Sequence, residues 1–305
     1  MEHASAKKVC LIGLGVITQR YWVGFSQCSF FRLCAVADID PNAVSRSLYK
    51  DYPYYRDYLE MINREKPDYV IISTPPQTHF EIARNCLELG IHVVIEKPVT
   101  LCLEKLDQLI RLAKDKQLVF KTLFHWHGGV ETQAFTRKWD YRKISRIQVS
   151  VRDPYCTQAE VILPDRRPLM GAWIDSGVNI LSMIRLWTPM DSCQILKTEC
   201  RRCPETGLPV YAHAELLLDG IPTEITVDWT QGIDQKESYL FVDGQTVYIN
   251  HSAQKISTPR QTVDYAQRPR MDEHYLQLFR QMDEIPNTAF SRRVHEILFE
   301  VNNAL

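Results

Sequence analysis

One stretch decides the fold of this chain: Val9-Cys10-Leu11-Ile12-Gly13-Leu14-Gly15-Val16-Ile17-Thr18. The apolar run at its start predicts a buried strand, and the two glycines that follow let the backbone turn tightly and approach a bulky charged group. A helix can begin near Ile17, and the unpaired N–H groups of its first turn would point at the glycine turn. This order of strand, glycine turn and helix N-terminus is typical of a pyrophosphate-binding site, although many such turns use glycines for packing alone.

A second predicted strand, over residues 32–37, ends in Asp38. This is about the separation at which a Rossmann fold places a carboxylate on the ribose 2′-hydroxyl. A carboxylate there accepts hydrogen bonds from a free diol and repels a 2′-phosphate, so it predicts NAD rather than NADP. Arg46 and Lys50 lie nearby in the sequence and leave NADP open. Asp38 can also be a turn residue, while Asp40 suits a helix cap.

The composition is that of an ordinary globular protein. The chain has 305 residues, 45% hydrophobic and 24% charged, with a formal net charge of −1, which is long enough for two domains. The balanced charge argues against a nucleic-acid partner. No apolar run approaches the ~20 residues that a membrane helix needs, so we expect no membrane partner.

The nine cysteines are scattered singly through apolar segments. This distribution predicts reduced thiols in a cytoplasmic protein rather than a disulfide framework. The first strand begins by Val9, so we expect no signal peptide. Cys200 and Cys203 resemble half of a zinc site, but no second pair follows at zinc-finger spacing, so we expect no metal.

Up to about residue 120, apolar strands alternate with amphipathic helices, which predicts an α/β domain with a parallel sheet and right-handed crossovers. We assign residues 1–122 to a dinucleotide-binding Rossmann domain. Strands are predicted at 8–13, 32–37, 69–73, 92–95 and 118–123, and helices at 18–26, 41–49, 57–64, 78–89 and 102–115. Ligands of such sheets bind at the carboxyl ends of the strands.

Two segments follow predicted strands directly. Thr74-Pro75-Pro76, continuing to His79, can form a wall of the cofactor pocket or simply a rigid turn, with Thr78 capping the next helix. Glu96-Lys97-Pro98 places a charged pair after a buried strand. Such a pair is either an ordinary surface pair or a lysine at the edge of the cofactor.

These segments resemble, in order and spacing, the N-terminal half of the Gfo/Idh/MocA oxidoreductases. The resemblance implies an NAD or NADP cofactor and a lysine, here Lys97, that touches both the nicotinamide side and the substrate. In that family the peptide bond before the proline of this tripeptide is often cis. The resemblance implies cofactor contacts from Gly13, Gly15, Val16, Ile17, Asp38, Thr74, Pro75, Pro76, His79, Glu96 and Lys97.

From residue 123 to 305 the pattern becomes that of an α+β domain with a large open, mostly antiparallel sheet, because apolar and polar residues alternate with period two. Strands are predicted at 145–152, 193–201, 210–218, 223–230, 238–242 and 246–250, with hairpin turns at Asp219-Gly220 and Asp243-Gly244. Helices are predicted at 130–139, 272–282 and 291–302, and the last two can pack back on the first domain. An open sheet with one apolar face predicts a homodimer or homotetramer.

One helix of this half, over residues 170–184, carries polar residues in apolar surroundings. Asp175 and Asn179 are four residues apart and share a helix face. Gly177 lies between them, where a side chain would crowd an approaching ligand. A carboxylate in so apolar a helix is unfavourable unless it is paired or used, although Asp175 can also be a helix cap beside a structural asparagine.

The family resemblance extends to this helix, where most members carry a histidine as the acid–base group. The form with Asn179 resembles the branch of aldose 1-dehydrogenases that oxidise arabinose, galactose or fucose. Trp126-His127, Asp153 and Trp229 also resemble that branch. The resemblance covers nearly the whole chain and implies a small sugar-like substrate, bound by His127, Asp153, Asp175, Asn179 and Trp229.

The segment 155–169 departs from that branch, because it lacks the aromatic residues and the histidine placed over the sugar. It offers Asp165, Arg166 and Arg167 instead. Two arginines near the site favour an acidic or phosphorylated substrate, unless they belong to a solvated loop.

Oxidation of an aldopyranose at C1 to a lactone needs a base for the hydroxyl proton and a positive group for the developing oxyanion. Asp175 is the candidate base, since apolar surroundings make a carboxylate a better proton acceptor. Lys97 supplies the positive charge or is itself the base. Asn179 positions a sugar hydroxyl without transferring protons.

The sequence thus predicts an NAD(P)-dependent dehydrogenase acting on a CH–OH group. C1 of an aldopyranose is the position that it favours most for oxidation. A keto-sugar or cyclitol oxidoreductase is the alternative enzyme. A dinucleotide-binding sensor without turnover is the alternative from another class, although a sensor need not keep both Lys97 and Asp175.

Overall fold

The computed structural model describes residues 6–282 and 288–305. Within them the chain divides into two compact units, each made of two stretches of chain. The first unit comprises Met1–Phe124 and Tyr275–Arg292, and the second comprises His125–His274 and Arg293–Leu305.

The described part of the first unit holds a six-stranded parallel sheet. Its strands in chain order are β1 (Lys7–Ile12), β2 (Phe31–Ala37), β3 (Tyr54–Tyr55), β4 (Tyr69–Ile72), β5 (His92–Glu96) and β6 (Phe120–Leu123). Their spatial order is β3-β2-β1-β4-β5-β6, so the order reverses between β1 and β4, where Rossmann sheets bind their ligand. The predicted parallel Rossmann sheet is confirmed, while β3 was missed because it is two residues long.

The helices of this unit lie between the strands. They are α1 (Thr18–Gln27), α2 (Pro41–Ser45), α3 (Tyr58–Glu65), α4 (Pro76–Glu88) and α5 (Leu103–Asp115). Asp40 caps α2 as predicted, accepting a hydrogen bond from Asn42 N at 2.9 Å. The cap predicted at Thr78 is wrong. Because proline is accepted at the first helical position, α4 begins at Pro76, and the Thr78 hydroxyl donates to Pro75 O at 2.8 Å inside its first turn.

The second unit is built on an eight-stranded sheet, counted over its described residues. Its strands are β7 (Ile144–Arg152), β8 (Cys193–Arg202), β9 (Pro209–Leu218), β10 (Ile221–Asp228), β11 (Gln235–Val242), β12 (Gln245–Asn250), β13 (Lys255–Ser257) and β14 (Thr262–Asp264). The spatial order is β14-β13-β12-β11-β7-β10-β9-β8, with only β7 and β10 parallel. The predicted mostly antiparallel sheet is confirmed.

The predicted turns join β9 to β10 and β11 to β12. Asp243 and Gly244 have φ of +53° and +75°, the left-handed conformation that a two-residue hairpin turn requires. Asp219 and Gly220 repeat it with +52° and +77°. Burial alternates along β9, which is the pattern that revealed this strand in the sequence.

The helices of the second unit are fewer. α6 (Val130–Lys138) precedes the sheet, and α7 (Val178–Trp187) follows a single π-helical turn, Trp173–Gly177. α8 (Arg270–Arg280) and α9 (Thr288–Ala304) each contribute residues to both units. No helix in the described residues combines the length and apolar character needed to cross a membrane.

Candidate active site

The loop that follows β4 leaves room only for a glycine at position 13, in the turn after β1. Gly13 has φ of +91°, and a Cβ built on it would lie 2.7 Å from the carbonyl carbon of Ser73. Its N–H donates to Ala37 O at 2.8 Å. Gly13 therefore holds the ends of β1, β2 and β4 together, which no residue with a side chain could do.

Asp38 is fixed by two backbone donors at the end of β2. Oδ2 accepts a hydrogen bond from Leu14 N at 2.7 Å, and Oδ1 accepts one from Asp40 N at 2.9 Å. A carboxylate has about four acceptor positions, so each oxygen can still accept a hydroxyl. Arg46, which sequence proximity offered to a 2′-phosphate, is paired with Asp40 at 2.6 Å.

The turn between β1 and α1 is open to solvent. A Cβ on Gly15 would meet no atom within 4 Å, and Val16 is 75% exposed. The Thr18 hydroxyl donates to Gly15 O at 2.7 Å and so stabilises the turn. Open space before a ten-residue helix, beside a fixed carboxylate, fits the pyrophosphate and ribose of a dinucleotide.

His79 ties together the loops that follow β4 and β5. The ring is fully buried, with Nε2 2.7 Å from Thr74 O and Nδ1 2.9 Å from Pro98 O. Burial lowers the pKa of His79 and so favours the neutral ring. The Lys97–Pro98 peptide bond is cis, as the family resemblance implied. His79 is thus placed to hold the wall formed by Thr74, Pro75 and Pro76, and its own contact with a cofactor stays a prediction.

Glu96 is buried beneath Lys97. Its Oε1 accepts hydrogen bonds from Tyr21 at 2.6 Å and from Tyr275 at 2.8 Å, and its Oε2 accepts one from Lys97 N at 3.1 Å. Burial raises the pKa of Glu96 above its usual range. The two tyrosines were not anticipated. The predicted cofactor contact of Glu96 stays untested, and the structure gives its side chain the role of holding the backbone of Lys97.

In the second unit, the helix that the sequence predicted over residues 170–184 begins with the π-turn, so that Asp175 lies in the π-turn and Asn179 in the first turn of α7. Asn179 Nδ2 donates to the backbone oxygen of Asp175 at 3.1 Å, not to its carboxylate. Asn179 is 9% exposed, and its Oδ1 has no hydrogen-bond partner in the described residues. Buried acceptors in folded proteins are normally satisfied, so this oxygen is suited to accept a ligand hydroxyl.

The structure gives Gly177 a packing role that the sequence did not suggest. A Cβ on Gly177 would lie 3.0 Å from the ring of Trp173, while the effect of a side chain there on an approaching ligand stays a prediction. The Trp173 indole is anchored at its other end, because Nε1 donates to Leu298 O at 3.0 Å.

Asp153 lies in a buried polar network. Its Oδ1 pairs with Lys236 Nζ at 2.7 Å, and its Oδ2 accepts from the Ser176 hydroxyl at 3.1 Å. Trp229 Nε1 lies 3.4 Å from the same hydroxyl, and the indole is 0% exposed. Lys236 also bonds to Asp234. Sugar contacts by Asp153 and Trp229 stay predictions, and in the structure both residues support the π-turn.

Lys236 was missed because nothing in its sequence surroundings marks it. It lies 83 positions from Asp153 along the chain and reaches it because β11 pairs with β7. Residues 236–238 are buried in succession, so no alternating pattern marks Lys236 as an inward-facing residue. Its burial in the structure accounts for its pairing, since buried lysines are nearly always paired.

The two arginines after Tyr155 have different surroundings. Arg167 is exposed and paired with Glu205 at 2.7 Å. The Arg166 guanidinium instead lies over the ring of Tyr155, 4.6 Å from its centroid. His127 is half-buried in a short 3₁₀ turn, where its backbone oxygen accepts from Gln133.

A second buried cluster was not anticipated from the sequence. His251 Nδ1 lies 2.8 Å from Glu131 Oε1, and His125 and His274 face each other with their Nδ1 atoms 3.0 Å apart. Burial lowers the pKa of His274 to about 3. No group of three or more potential metal ligands is arranged to hold an ion in the parts of the chain that are described.

Residues 7–124 match the model of an oxidoreductase family with an NAD-binding Rossmann fold, GFO_IDH_MocA. A glycosyl hydrolase family 109 protein of Shewanella amazonensis is 30% identical over 118 residues, which are 35% of this chain and 26% of that protein. The UDP-N-acetylglucosamine 3-dehydrogenase of Acidithiobacillus ferrooxidans is 46% identical over 52 residues, 17% of each chain. The chain thus spans about a quarter or less, 17–26%, of the curated relatives it matches.

Solved structures extend the likeness over the whole chain at the level of fold. The crystal structure of the same A. ferrooxidans enzyme, GnnA, has a TM-score of 0.81 at 17% identity, with 98% of each chain covered. KijD10, a 3-ketoreductase from Actinomadura kijaniata in complex with TDP-benzene and NADP, has a TM-score of 0.79 at 17% identity, with 96% of each chain covered.

Proposed function

We propose that this chain, whose residues 7–124 form the NAD-binding Rossmann domain of the Gfo/Idh/MocA oxidoreductase family, transfers hydride between a nicotinamide and a carbon of a sugar. The single observation that supports a sugar as the substrate is the state of Asn179 Oδ1. This oxygen is a buried acceptor without a partner in the described residues, one helical turn from Asp175. A polyhydroxylated substrate supplies the hydroxyl donor that this oxygen lacks.

The first unit supports the cofactor half of this function. Asp38 is held with its oxygens ready for the ribose diol, and the open turn at Gly15 has room for the pyrophosphate. NAD, when bound, supplies the hydride acceptor. Glu96 and Pro98 fix the backbone on both sides of Lys97, so that its ammonium group can hold the oxygen of the reacting carbinol.

The second unit supports the substrate half. Asp175 is the proposed base for the carbinol proton, with Lys97 as the alternative. Asn179 orients the neighbouring hydroxyl, and His127 is a further proposed contact. Asp153 and Trp229 hold Ser176, next to Asp175, by hydrogen bonds.

Two positions on the sugar are candidates for oxidation. Asp175 and Asn179, by their resemblance to the aldose branch, favour C1 of an aldopyranose and a lactone product. The names of the similar proteins, a UDP-N-acetylglucosamine 3-dehydrogenase and a 3-ketoreductase, favour a secondary ring carbon and a keto-sugar. We place the ring carbon second, because the likeness to those structures is a likeness of fold.

The test is absorbance of the reduced nicotinamide with the purified full chain, NAD or NADP, and a substrate panel. The panel contains L-arabinose, D-galactose, L-fucose, glucose 6-phosphate, myo-inositol and UDP-N-acetylglucosamine. Lactone formed from a free aldose supports oxidation at C1, and a ketone formed from UDP-N-acetylglucosamine or inositol supports the ring carbon. No turnover of any member would overturn the proposed function, and binding of NAD in a calorimeter would in that case favour the sensor.

A matched pair of variants separates the activity of this chain from that of a contaminant. Asp175→Asn should remove the rate, because the amide cannot accept the carbinol proton. Asp191→Asn removes an exposed carboxylate that precedes β8 and should leave the rate unchanged. Equal rates in both variants would show that the activity does not depend on Asp175.

A further inference from the structure

Tyr155 is held rigidly at the end of β7, next to the residues proposed to bind substrate. Its N–H donates to Asp153 O at 2.9 Å, and its carbonyl accepts from Leu163 N at 2.9 Å. Both backbone groups are therefore used, and the segment 155–163 folds into a small loop closed by a β-bridge between Cys156 and Ile162. The position of the side chain is set by this loop.

The ring of Tyr155 is clamped on two sides. The Trp229 indole packs against it edge-on, with centroids 5.2 Å apart and an interplanar angle of 69°. The Arg166 guanidinium covers it at 4.6 Å, an arrangement stabilised by attraction between the cation and the ring face. A ring restrained in this way directs its hydroxyl with little loss of side-chain entropy on binding.

The hydroxyl of Tyr155 makes no hydrogen bond within the described residues, although the residue is half-buried. Other buried tyrosines behave differently, since Tyr21 and Tyr275 both donate to Glu96. A half-buried donor on a clamped ring is ready for a ligand oxygen.

The charged groups that act on this hydroxyl include residues proposed to bind the substrate. Burial raises the pKa of Tyr155, and the carboxylates of Asp153 and Asp175 raise it further, against a smaller opposite effect of Arg166. The hydroxyl therefore stays protonated at physiological pH and acts as a donor. The contacts lead to Asp175 as well, because the Trp229 indole that packs on the Tyr155 ring also donates to Ser176, the residue next to Asp175.

We propose that the Tyr155 hydroxyl is a specificity-determining group that donates a hydrogen bond to a substrate oxygen next to the carbon that reacts, an inference that rests on the proposed function. Asn179 Oδ1 accepts from the substrate and Tyr155 donates to it, so a hydroxyl-bearing carbon chain with two neighbouring oxygens satisfies both. Arg166 acts through the ring and is a positioning residue.

The test compares Tyr155→Phe with Tyr211→Phe in the full chain. Tyr211 is a matched control, because Arg201 covers its ring at 4.8 Å in the same manner. Loss of one hydrogen bond to a substrate lowers kcat/KM by roughly tenfold, and the Phe variant should show this for the best substrate of the panel. Tyr211→Phe should stay within about twofold, and calorimetric binding of NAD should be unchanged in both.

A merely structural role is separated by deoxy analogues of that substrate. The wild type should prefer the sugar over the analogue that lacks one hydroxyl next to the reacting carbon, and Tyr155→Phe should lose this preference selectively. Unchanged preference for every analogue would overturn the role of Tyr155 while leaving the proposed function intact.

If the wild type turns over no member of the panel, the proposed function has failed, and Tyr155 is judged by equilibrium binding. Quenching of tryptophan fluorescence by D-galactose or UDP-N-acetylglucosamine is then compared in wild type and Tyr155→Phe, because Trp229 contacts the ring. Weaker binding in the variant alone supports the role. Equal binding, or no binding to either protein, overturns it.

Discussion

The backbone N–H of Leu14 donates to the carboxylate of Asp38 at 2.7 Å, which joins the glycine turn to the end of the neighbouring strand. The residue proposed to recognise the ribose is thereby oriented by the turn proposed to face the pyrophosphate. On that proposal, this one hydrogen bond couples the binding of the two parts of a dinucleotide.

Asp38→Ala should therefore weaken the binding of NAD more than the binding of NADP. Loss of hydrogen bonds to a charged group is worth about 1.5–3 kcal/mol, which corresponds to a KM for NAD raised roughly tenfold or more. The KM for NADP should change less, because the carboxylate no longer repels the 2′-phosphate. Asp57→Ala, which also removes a carboxylate that accepts from a backbone N–H, is the control. An unchanged ratio of the two KM values would contradict the proposed contact between Asp38 and the ribose.

Asp40→Asn should improve the use of NADP. The amide oxygen can keep the cap on α2, but the ion pair that occupies Arg46 is lost, so the guanidinium becomes available to a 2′-phosphate. We expect the KM for NADP to fall only several-fold, because the interactions of exposed charged groups are weak. The double variant with Arg46→Ala should cancel the gain, and a gain that persists would assign it to another residue.

Lys97→Ala should abolish turnover while sparing cofactor binding. The ammonium group is proposed to hold the reacting oxygen, and removal of one such group costs about 10²–10³-fold in kcat. NAD affinity, measured by calorimetry, should stay within about threefold, because Asp38 and the glycine turn are untouched. Lys116→Ala, which removes an exposed lysine after α5, provides the baseline, and normal rates in Lys97→Ala would contradict the mechanism.

Tyr21→Phe should destabilise the protein more at pH 8 than at pH 5. Glu96 has a raised pKa, so unfolding at high pH releases a carboxylate that folding had buried, and Tyr21 stabilises that charged form. Removing the donor raises the pKa of Glu96 further. The free energy of unfolding falls by an additional 1.5–3 kcal/mol, roughly, only at pH values where Glu96 is charged. Urea unfolding at the two pH values measures this difference.

Tyr49→Phe is the control for that experiment. Tyr49 is equally buried, but its hydroxyl donates to the backbone oxygen of Thr18. Tyr49→Phe should lower the free energy of unfolding equally at both pH values. Equal losses for Tyr21→Phe as well would show that the charge of Glu96 does not change between pH 5 and pH 8.

His274→Gln should flatten the acid dependence of stability. The pKa of His274 is lowered to about 3 in the folded chain, so below pH 6.5 the unfolded state binds a proton that the folded state does not. The stability present above pH 6.5 is lost as the pH falls toward 3, at about 1.4 kcal/mol per unit. Urea unfolding from pH 7 to 4 should show a smaller slope in the variant than in wild type or in His213→Gln.

The sequence was informative wherever a local pattern decides the structure. β1, β4 and β5 are near-continuous apolar runs, and β9 and β12 alternate, so their elements could be predicted from a few neighbouring residues. Asp38 and Lys97 could be predicted as site residues because parallel strands bring the residues that follow them to one edge.

Contacts between distant parts of the chain could not be predicted in this way. Glu96 meets Tyr275 across 179 positions and Asp153 meets Lys236 across 83. Whether a buried polar residue faces a ligand or another side chain is decided by such partners, and periodicity does not identify them. The packing of Gly177 against Trp173 is by contrast a local contact between residues four apart, and the sequence pattern did not show which of its neighbours the glycine faces.

The π-turn at Trp173–Gly177 has a consequence for how this part of the chain can change. A π-turn is an α-helix that carries one surplus residue. Deleting the surplus residue would restore regular winding and leave the chain before the turn in nearly the same orientation relative to α7, because the wider turn absorbs the extra residue. The surplus residue therefore alters the direction of the side chains inside the turn, Asp175 among them, without altering the direction of the helix on either side.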